Sequence, residues 1–246
     1  MKLSLIIPAH NEEGCIEETA RLHHSALTGE NIDHEILVVN DNSLDNTENI
    51  LKCLEKEIEE IRYVNNSPPN GFGFAVRKGL NNYSGDAVAI VMADGSDSPQ
   101  DVVRFYKKLL SGYDCVFGSR FIKGGATYDY PKVKLLVNRM ANFFIKTLFT
   151  FRYNDTTNAF KMYTRETLDG LRPFLSHHFN LTVELPLKAI TRGYNYTVLP
   201  NTWKNRTTGE AKLKLKEMGS RYLFIVLYCL IEKWLSVGDY RKKLKS

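Results

Sequence analysis

A chain of 246 residues, 43% hydrophobic and 25% charged, has ordinary globular composition and can bury a sizeable core as one α/β domain or two small ones. Its four cysteines (Cys15, Cys53, Cys115, Cys229) are scattered without a C-x-x-C pair, which speaks against a disulfide framework or a cysteine metal site and for reduced thiols in the cytosol. The net charge of +5 is uneven: residues 204–246 hold 11 Lys/Arg against 4 Asp/Glu, a local balance of +7 that calls for an anionic partner.

The chain opens on "MKLSLIIPAHNEEG", where Pro8 and the acidic residues interrupt the apolar run too soon for a signal peptide. Without such a signal, triplets such as Asn180-Leu-Thr182 read as chance rather than glycosylation sites. The runs 3–8, 35–40, 61–64 and 87–92 are β-rich and apolar enough for strands buried on both faces. Between them, Asp45 is placed to cap a helix carrying Ile50, Leu54 and Ile58. Ser98 and Pro99 start another helix, with Val102, Val103 and Leu109 on its apolar face. Strands alternating with helices predict a mainly parallel central sheet flanked by helices, whose ligands bind beyond the carboxyl ends of the strands. The polar stretches "PAHNE", "NDNS" and "ADGSD" fall at those ends.

The second half is less regular. "CVFGSRF" reads as a strand broken by Gly124-Gly125, and 132–151 as a long amphipathic helix. "NAFKMY", a helix near 182–192, the strand "YNYTVLP", a basic loop and the apolar run 222–231 follow, without internal repeats.

Asp94 and Asp97 lie three apart across a glycine at a strand end. Hard oxygen ligands gathered there suit Mg²⁺ or Mn²⁺ shared with a substrate phosphate, although a capped turn into the next helix would use the same residues. Glu12 and Asp41 leave the same edge of the sheet and should converge on one cleft. Asp41 followed by Asn42-Ser43 also suits a plain Asx turn.

Taken in order, "SLIIPAHNEE", "ILVVNDNSLDNT", "NGFGFAVRKGL", "GDAVAIVMADGSDSP" and "FGSRF" resemble the inverting GT-A glycosyltransferases of family two. "NDTTNAFKMY" and "RTTGEAKLKLKE" are similar, more narrowly, to dolichyl- and polyprenyl-phosphate sugar synthases, over about residues 3–215. The resemblance implies that Pro8, Ala9 and Glu12 hold a ribose and that Asp41 contacts the base. It implies that Asp94 and Asp97 occupy the metal motif, and that Arg120, Arg206 and Lys212 face donor or acceptor phosphates. Two departures stand out: Asn40-Asp41 replaces the usual aspartate pair, and Ala93 stands where an aspartate is common. "GFGFAV" (71–76) also matches a dinucleotide fingerprint, but "NNSPPN" separates it from its strand, so Gly71 and Gly73 are read as relaxing a loop under the nucleotide.

The run 222–231 is half the length needed to span a bilayer, which leaves a core helix or one lying on a membrane. Basic flanks and Trp234 suit an anionic membrane surface, whereas no nucleic-acid recognition fold accompanies them. The expectation is a GT-A domain over 1–215 and a basic amphipathic segment over 216–246, cytoplasmic and peripheral on the membrane. It would transfer a hexose from a UDP- or GDP-sugar to a polyprenyl-type lipid phosphate. Such an acceptor is already ionised and needs no strong base. Transfer to a hydroxyl of a lipid-linked glycan would need one, with Asp155 or Glu184 as candidates. A non-catalytic nucleotide-sugar-binding scaffold is the third reading.

Overall fold

Four strands rich in Ile, Val and Leu come first: β1 (Leu3–Ala9), β2 (His34–Asn40), β3 (Ile61–Asn65) and β4 (Ala87–Ile90). The computed structural model describes residues 1–204 and 215–242. β1 pairs in parallel with β2 and β4, and β2 with β3. Every residue of β2 and β4 is buried, as near-continuous apolar runs require of a sheet covered on both faces. Between the strands run α1 (Ile16–Gly29), α2 (Thr47–Glu57) and α3 (Phe72–Gly79), and α4 (Pro99–Leu109) follows β4.

Asp45 accepts from the Thr47 amide at 3.0 Å, but it lies one residue before the cap position of α2, which Asn46 fills without a side-chain cap bond. The fully buried stripe of that helix is Thr47, Leu51 and Leu54, however, with Ile50 and Ile58 packed only partly. Ser98 and Pro99 begin α4, but the Ser98 hydroxyl donates to Gln100 Oε1 rather than capping the backbone.

The second half adds β5 (Cys115–Ser119), β6 (Ala126–Tyr128), α5 (Lys132–Phe149), β7 (Lys161–Thr164), α6 (Arg165–Gly170) and α7 (Leu181–Thr191). β8 (Tyr196–Pro200), β9 (Thr202–Lys204) and α8 (Leu215–Leu235) complete it. The sheet order is β3-β2-β1-β4-β7-β5-β8, with β7 antiparallel to both neighbours and all other pairs parallel. A parallel two-stranded ribbon, β6-β9, stands apart.

Two cores form, one on each face of the sheet. One packs α1, α2 and α4 against β1, β2 and β4 through Ile16, Leu27, Leu51, Phe105 and Leu109. The other gathers α3, α7, α8 and the end of α5 through Val76, Phe149, Leu185, Ile225 and Cys229. Each fully buried Leu, Ile or Phe contributes about 1.5–3 kcal/mol. The segment expected as a separate membrane-associating tail therefore shares, through one face of α8, the core of the preceding residues. Arg192, at the end of α7, clamps it: Nε and Nη2 donate to the two Glu232 oxygens at 2.7 and 2.8 Å.

Candidate active site at the strand ends

The loops leaving β1 and β2 are laced into one platform. The Asn11 amide donates to Ser43 Oγ, Glu12 to Thr47 Oγ1 and Glu13 to Asp45, and the Leu44 and Asn46 amides return bonds to Asn11 Oδ1 and Glu13 Oε2. Pro8 and Ala9 end β1 in register with Val39 and Asn40, and the Ala9 carbonyl accepts from the Asp41 amide at 2.8 Å. His10 Nδ1 donates to the Asp41 carbonyl at 2.7 Å. Pro8, Ala9, Glu12 and Asp41 thus come together at one sheet edge.

The Asp41 side chain is buried and already holds two donors, Asn66 Nδ2 at 2.7 Å and the Gly71 amide at 2.8 Å. Those bonds fasten the 66–71 loop over the platform. Each oxygen keeps a second lone pair, so the carboxylate can still accept from a ring N–H. Gly71 and Gly73 serve more than slack. Gly71 adopts φ +151°, and a Cβ on Gly73 would meet the His177 carbonyl carbon at 2.4 Å. The glycines let α3 begin against the 177–178 backbone, where Phe72 stacks on Phe179 with centroids 4.4 Å apart.

Beyond β4 the chain turns at Gly95, whose φ of +69° suits glycine. The turn is held by Thr19 Oγ1 donating to the Ala93 carbonyl and by the Ser96 amide donating to Asp94 Oδ1. Asp97 folds back to accept from the Met92 amide at 2.9 Å. Burial pushes its carboxyl up to about 7, and the Asp94 charge adds to the rise against that hydrogen bond and the Arg120 charge. Ser96 Oγ beside it is buried without a hydrogen-bond partner. Two carboxylates on one turn, with an unpartnered hydroxyl between them in the chain, fit a hard divalent cation. Among the described residues no third His, Cys, Asp or Glu joins them, so the remaining ligands would come from substrate phosphate and water.

The β6-β9 ribbon closes one side. Trp203 makes a bridge to Asp97, and Tyr130 packs on the Trp203 ring with centroids 4.9 Å apart. The described chain stops at Lys204, next to this bridge. Arg206 and Lys212 lie outside the described residues, two and eight positions further on.

Arg120 takes a different place from a cation open to phosphate. It is buried, and its amide, Nε and Nη2 all donate to the Asp155 carboxylate at 2.7–2.9 Å. Burial works against its charge, but Asp155 outweighs that and raises its pKa. Its guanidinium also lies 5.8 Å from the Tyr130 ring centre, so the pair braces the wall beside Asp97. Asp155 is consequently sealed and ion-paired. Glu184, the other expected base, is equally sealed: it accepts from Lys188 at 2.6 Å and from the Leu175 and Ser176 amides.

Sequence reasoning passed over the cations nearer solvent. Arg139, exposed on α5, lies over the Phe121 ring at 4.6 Å, and Lys134 over Tyr130 at 5.7 Å. Their signal was the basic residues interleaved with apolar ones in "KVKLLVNRMANFF". They sit where one apolar helix face begins. α5 exposes Val133, Leu136, Met140, Phe143 and Phe144, with Phe143 71% exposed. α8 buries Ile225, Val226, Cys229 and Leu230 but exposes Leu223, Phe224, Leu227, Ile231 and Trp234 on the other side. Lys233 ties the two helix ends by donating to the Phe149 carbonyl at 2.9 Å. No helix among the described residues is long and apolar enough to cross a membrane.

Known proteins are similar to this chain in sequence and fold. A dolichol-phosphate mannosyltransferase of Pyrococcus furiosus is 30% identical over 88% of this chain, which spans 60% of that protein's length. A polyprenol monophosphomannose synthase of Mycolicibacterium smegmatis is 28% identical, over 85% of this chain and 80% of its own. Among solved structures, the glucosyl-3-phosphoglycerate synthase of Mycobacterium tuberculosis bound to Mn²⁺, UDP and phosphoglyceric acid superposes with a TM-score of 0.69. It is 22% identical, over 94% of this chain and 78% of that one, and shows the GT-A-like fold. The sequence profile described as Glycosyl transferase family 2 matches residues 4–172, and the chain belongs to that family.

Proposed function

We propose that the protein is a metal-dependent glycosyltransferase that moves a hexose from a UDP- or GDP-sugar to a polyprenyl-type lipid phosphate, with inversion, at a cytoplasmic membrane face. The observation that carries this reading is the juxtaposition of the Asp94–Asp97 pair with the apolar α5–α8 face, joined by Trp203 and Tyr130. The names of the two curated relatives favour a polyprenyl phosphate acceptor and a mannosyl donor.

Each part has a physical task. Pro8, Ala9 and Glu12 form the ribose platform, and Asp41 receives the base while holding the 66–71 loop closed over it. Asp94 and Asp97 would hold Mg²⁺ or Mn²⁺, which supplies charge neutralisation for the departing diphosphate. Ion binding would also favour ionised Asp97, against the burial that raises its carboxyl to about 7. Arg206 and Lys212 would meet the acceptor phosphate beside Lys204, with Arg139 and Lys134 at the rim. Fixed cations offset the repulsion between an anionic acceptor and an anionic donor.

The acceptor's oxygen is already ionised, so no general base is required. Asp155 and Glu184, both consumed by buried ion pairs, leave a hydroxyl acceptor without a candidate base among the residues weighed for that role. The apolar faces of α5 and α8 would lie in the lipid headgroup region, with the basic residues around them on anionic lipid.

The test incubates purified protein with polyprenyl phosphate, UDP- and GDP-hexoses, and Mn²⁺ or Mg²⁺. Glycosylated lipid phosphate should form. Asp94→Ala or EDTA should reduce the rate at least about a hundredfold, the scale of losing several kcal/mol of charge stabilisation. Turnover undiminished by EDTA would refute the metal role. Nucleotide-sugar binding without any transfer would favour the scaffold reading.

A further inference from the structure

A cavity of about 440 Å³ opens at the other end of α3, lined by Arg77, Asn81, Arg172, Pro173 and Phe174. α3 starts beside Asp41 at the carboxyl ends of the strands. Eight residues at 1.5 Å rise put its far end about 12 Å away, toward the amino ends. This cavity is therefore separate from the candidate donor site.

Its two arginines are used differently. Arg172 covers the helix end, its Nη2 donating to the Leu80 carbonyl at 2.9 Å, and its Nε lies 3.7 Å from the exposed carboxylate of Asp169. Among the described residues Arg77 makes no hydrogen bond and no ion pair, and its Nη1 is sealed from solvent without a partner. No carboxylate pairs with its guanidinium among the described residues, which leaves that charge available to an anion entering the cavity Arg77 lines. Nearby His177 has its pKa lowered by burial and then by the Arg77 charge, so it adds no negative charge there. Pro173 and Phe174 supply the apolar part of the lining, and Arg172 lies over the Phe174 ring at 5.0 Å.

We propose that this cavity binds a phosphate-bearing small molecule. The phosphate is taken by the planar forks of Arg77 and Arg172, which match its oxygens in pairs, with Asn81 as a further donor. Any organic part lies on Pro173 and Phe174. The site stands independently of the transferase reading, because its residues are remote from the strand-end carboxylates.

The experiment titrates the full chain with inorganic phosphate and, separately, phenyl phosphate by calorimetry at constant ionic strength. Both should bind saturably to wild type, and Arg77→Gln and Arg172→Gln should each weaken binding at least tenfold. Asp94→Ala should bind as wild type does, which separates this site from the donor site. Tighter binding of phenyl phosphate identifies an organic phosphate as the ligand class; equal binding identifies the phosphate group alone. Arg77→Gln removes an unpaired group and should melt no lower than wild type. Should it fail to fold, Arg172→Gln, at an exposed residue, still decides. Binding that does not saturate, survives both arginine changes, or disappears in Asp94→Ala would overturn the proposal.

Discussion

In the first half of the chain, α1 to α4 bury the apolar stripes their sequences carry; in the second half, α5 and α8 carry more apolar surface than the core takes. Leu27, Leu51, Leu54 and Phe105 are all essentially inaccessible, whereas Phe143, Phe224 and Trp234 each stand more than half exposed. Monomeric proteins rarely leave contiguous apolar patches of this kind without a partner. The difference teaches that the two halves were built for different surroundings. One supplies the polar sheet edge that carries Asp41, Asp94 and Asp97, and the other an exposed apolar face. Polar chemistry sits at their seam, where Trp203 bridges Asp97 and the Arg120–Asp155 pair braces Tyr130.

The seam is where the comparison breaks most violently. Arg120→Ala leaves the Asp155 carboxylate buried without its partner and should lower stability by about 3–5 kcal/mol, measured by urea unfolding. The double change Arg120→Met with Asp155→Leu should recover much of that loss. Recovery would mark the pair as a brace, and continued loss of transfer in the folded double variant would add a direct role in binding.

Next in size is the pH dependence set at the polar sheet edge. The Asp97 carboxyl has a folded pKa of about 7, above its unfolded value, so the metal-free fold binds the extra proton. Its favourable contribution is complete below about pH 4 and is lost as pH rises through about 7, a change of a few kcal/mol. Asp97→Asn should remove that slope, and added Mn²⁺ should stabilise wild type more as pH rises. Equal slopes for wild type and variant would show that Asp97 titrates normally.

The half with the proposed lipid-binding faces responds to smaller changes. Replacing Phe143 and Phe144, or Phe224 and Trp234, by serine should weaken binding to anionic liposomes at least about tenfold, since each large side chain withdrawn from lipid is worth about 1.5–3 kcal/mol. Thermal stability should hold, because none of the four is buried. Unchanged liposome binding in both pairs would separate the exposed faces from any membrane role.

The mildest test returns to the platform. Asp41→Asn puts an amide where the Gly71 N–H and Asn66 expect an acceptor. It should raise the donor KM about tenfold with kcat little changed, as loss of uniform binding does. A loss confined to kcat would move Asp41 into the chemistry.

Most of the first half was legible because its signals are local. Apolar runs such as "EILVVN", helix-start residues such as Pro99, and polar residues at strand ends each report their own position. The second half was less legible because its pairings are long-range. Nothing near Lys161 announces that β7 runs antiparallel between β4 and β5, and nothing near Arg120 announces that Asp155 will fill its fork. The same holds for α8. Its sequence shows apolar residues all round, and only the fold shows which face takes the core and which is left outward. Glu184 misled for a related reason: an isolated acid in a sequence reads as a possible base until Lys188, one helical turn on, is seen to claim it.

The most direct test of the account compares two acceptors with one donor. Purified protein, Mn²⁺ and the nucleotide hexose that binds best are given polyprenyl phosphate in one reaction and the unphosphorylated polyprenol in the other, with products identified by mass spectrometry. The account predicts a glycosylated lipid phosphate in the first, none in the second, and loss of the product in Asp94→Ala. Glycosylation of the hydroxyl acceptor alone, or a bound donor that never transfers to the phosphate, would contradict it.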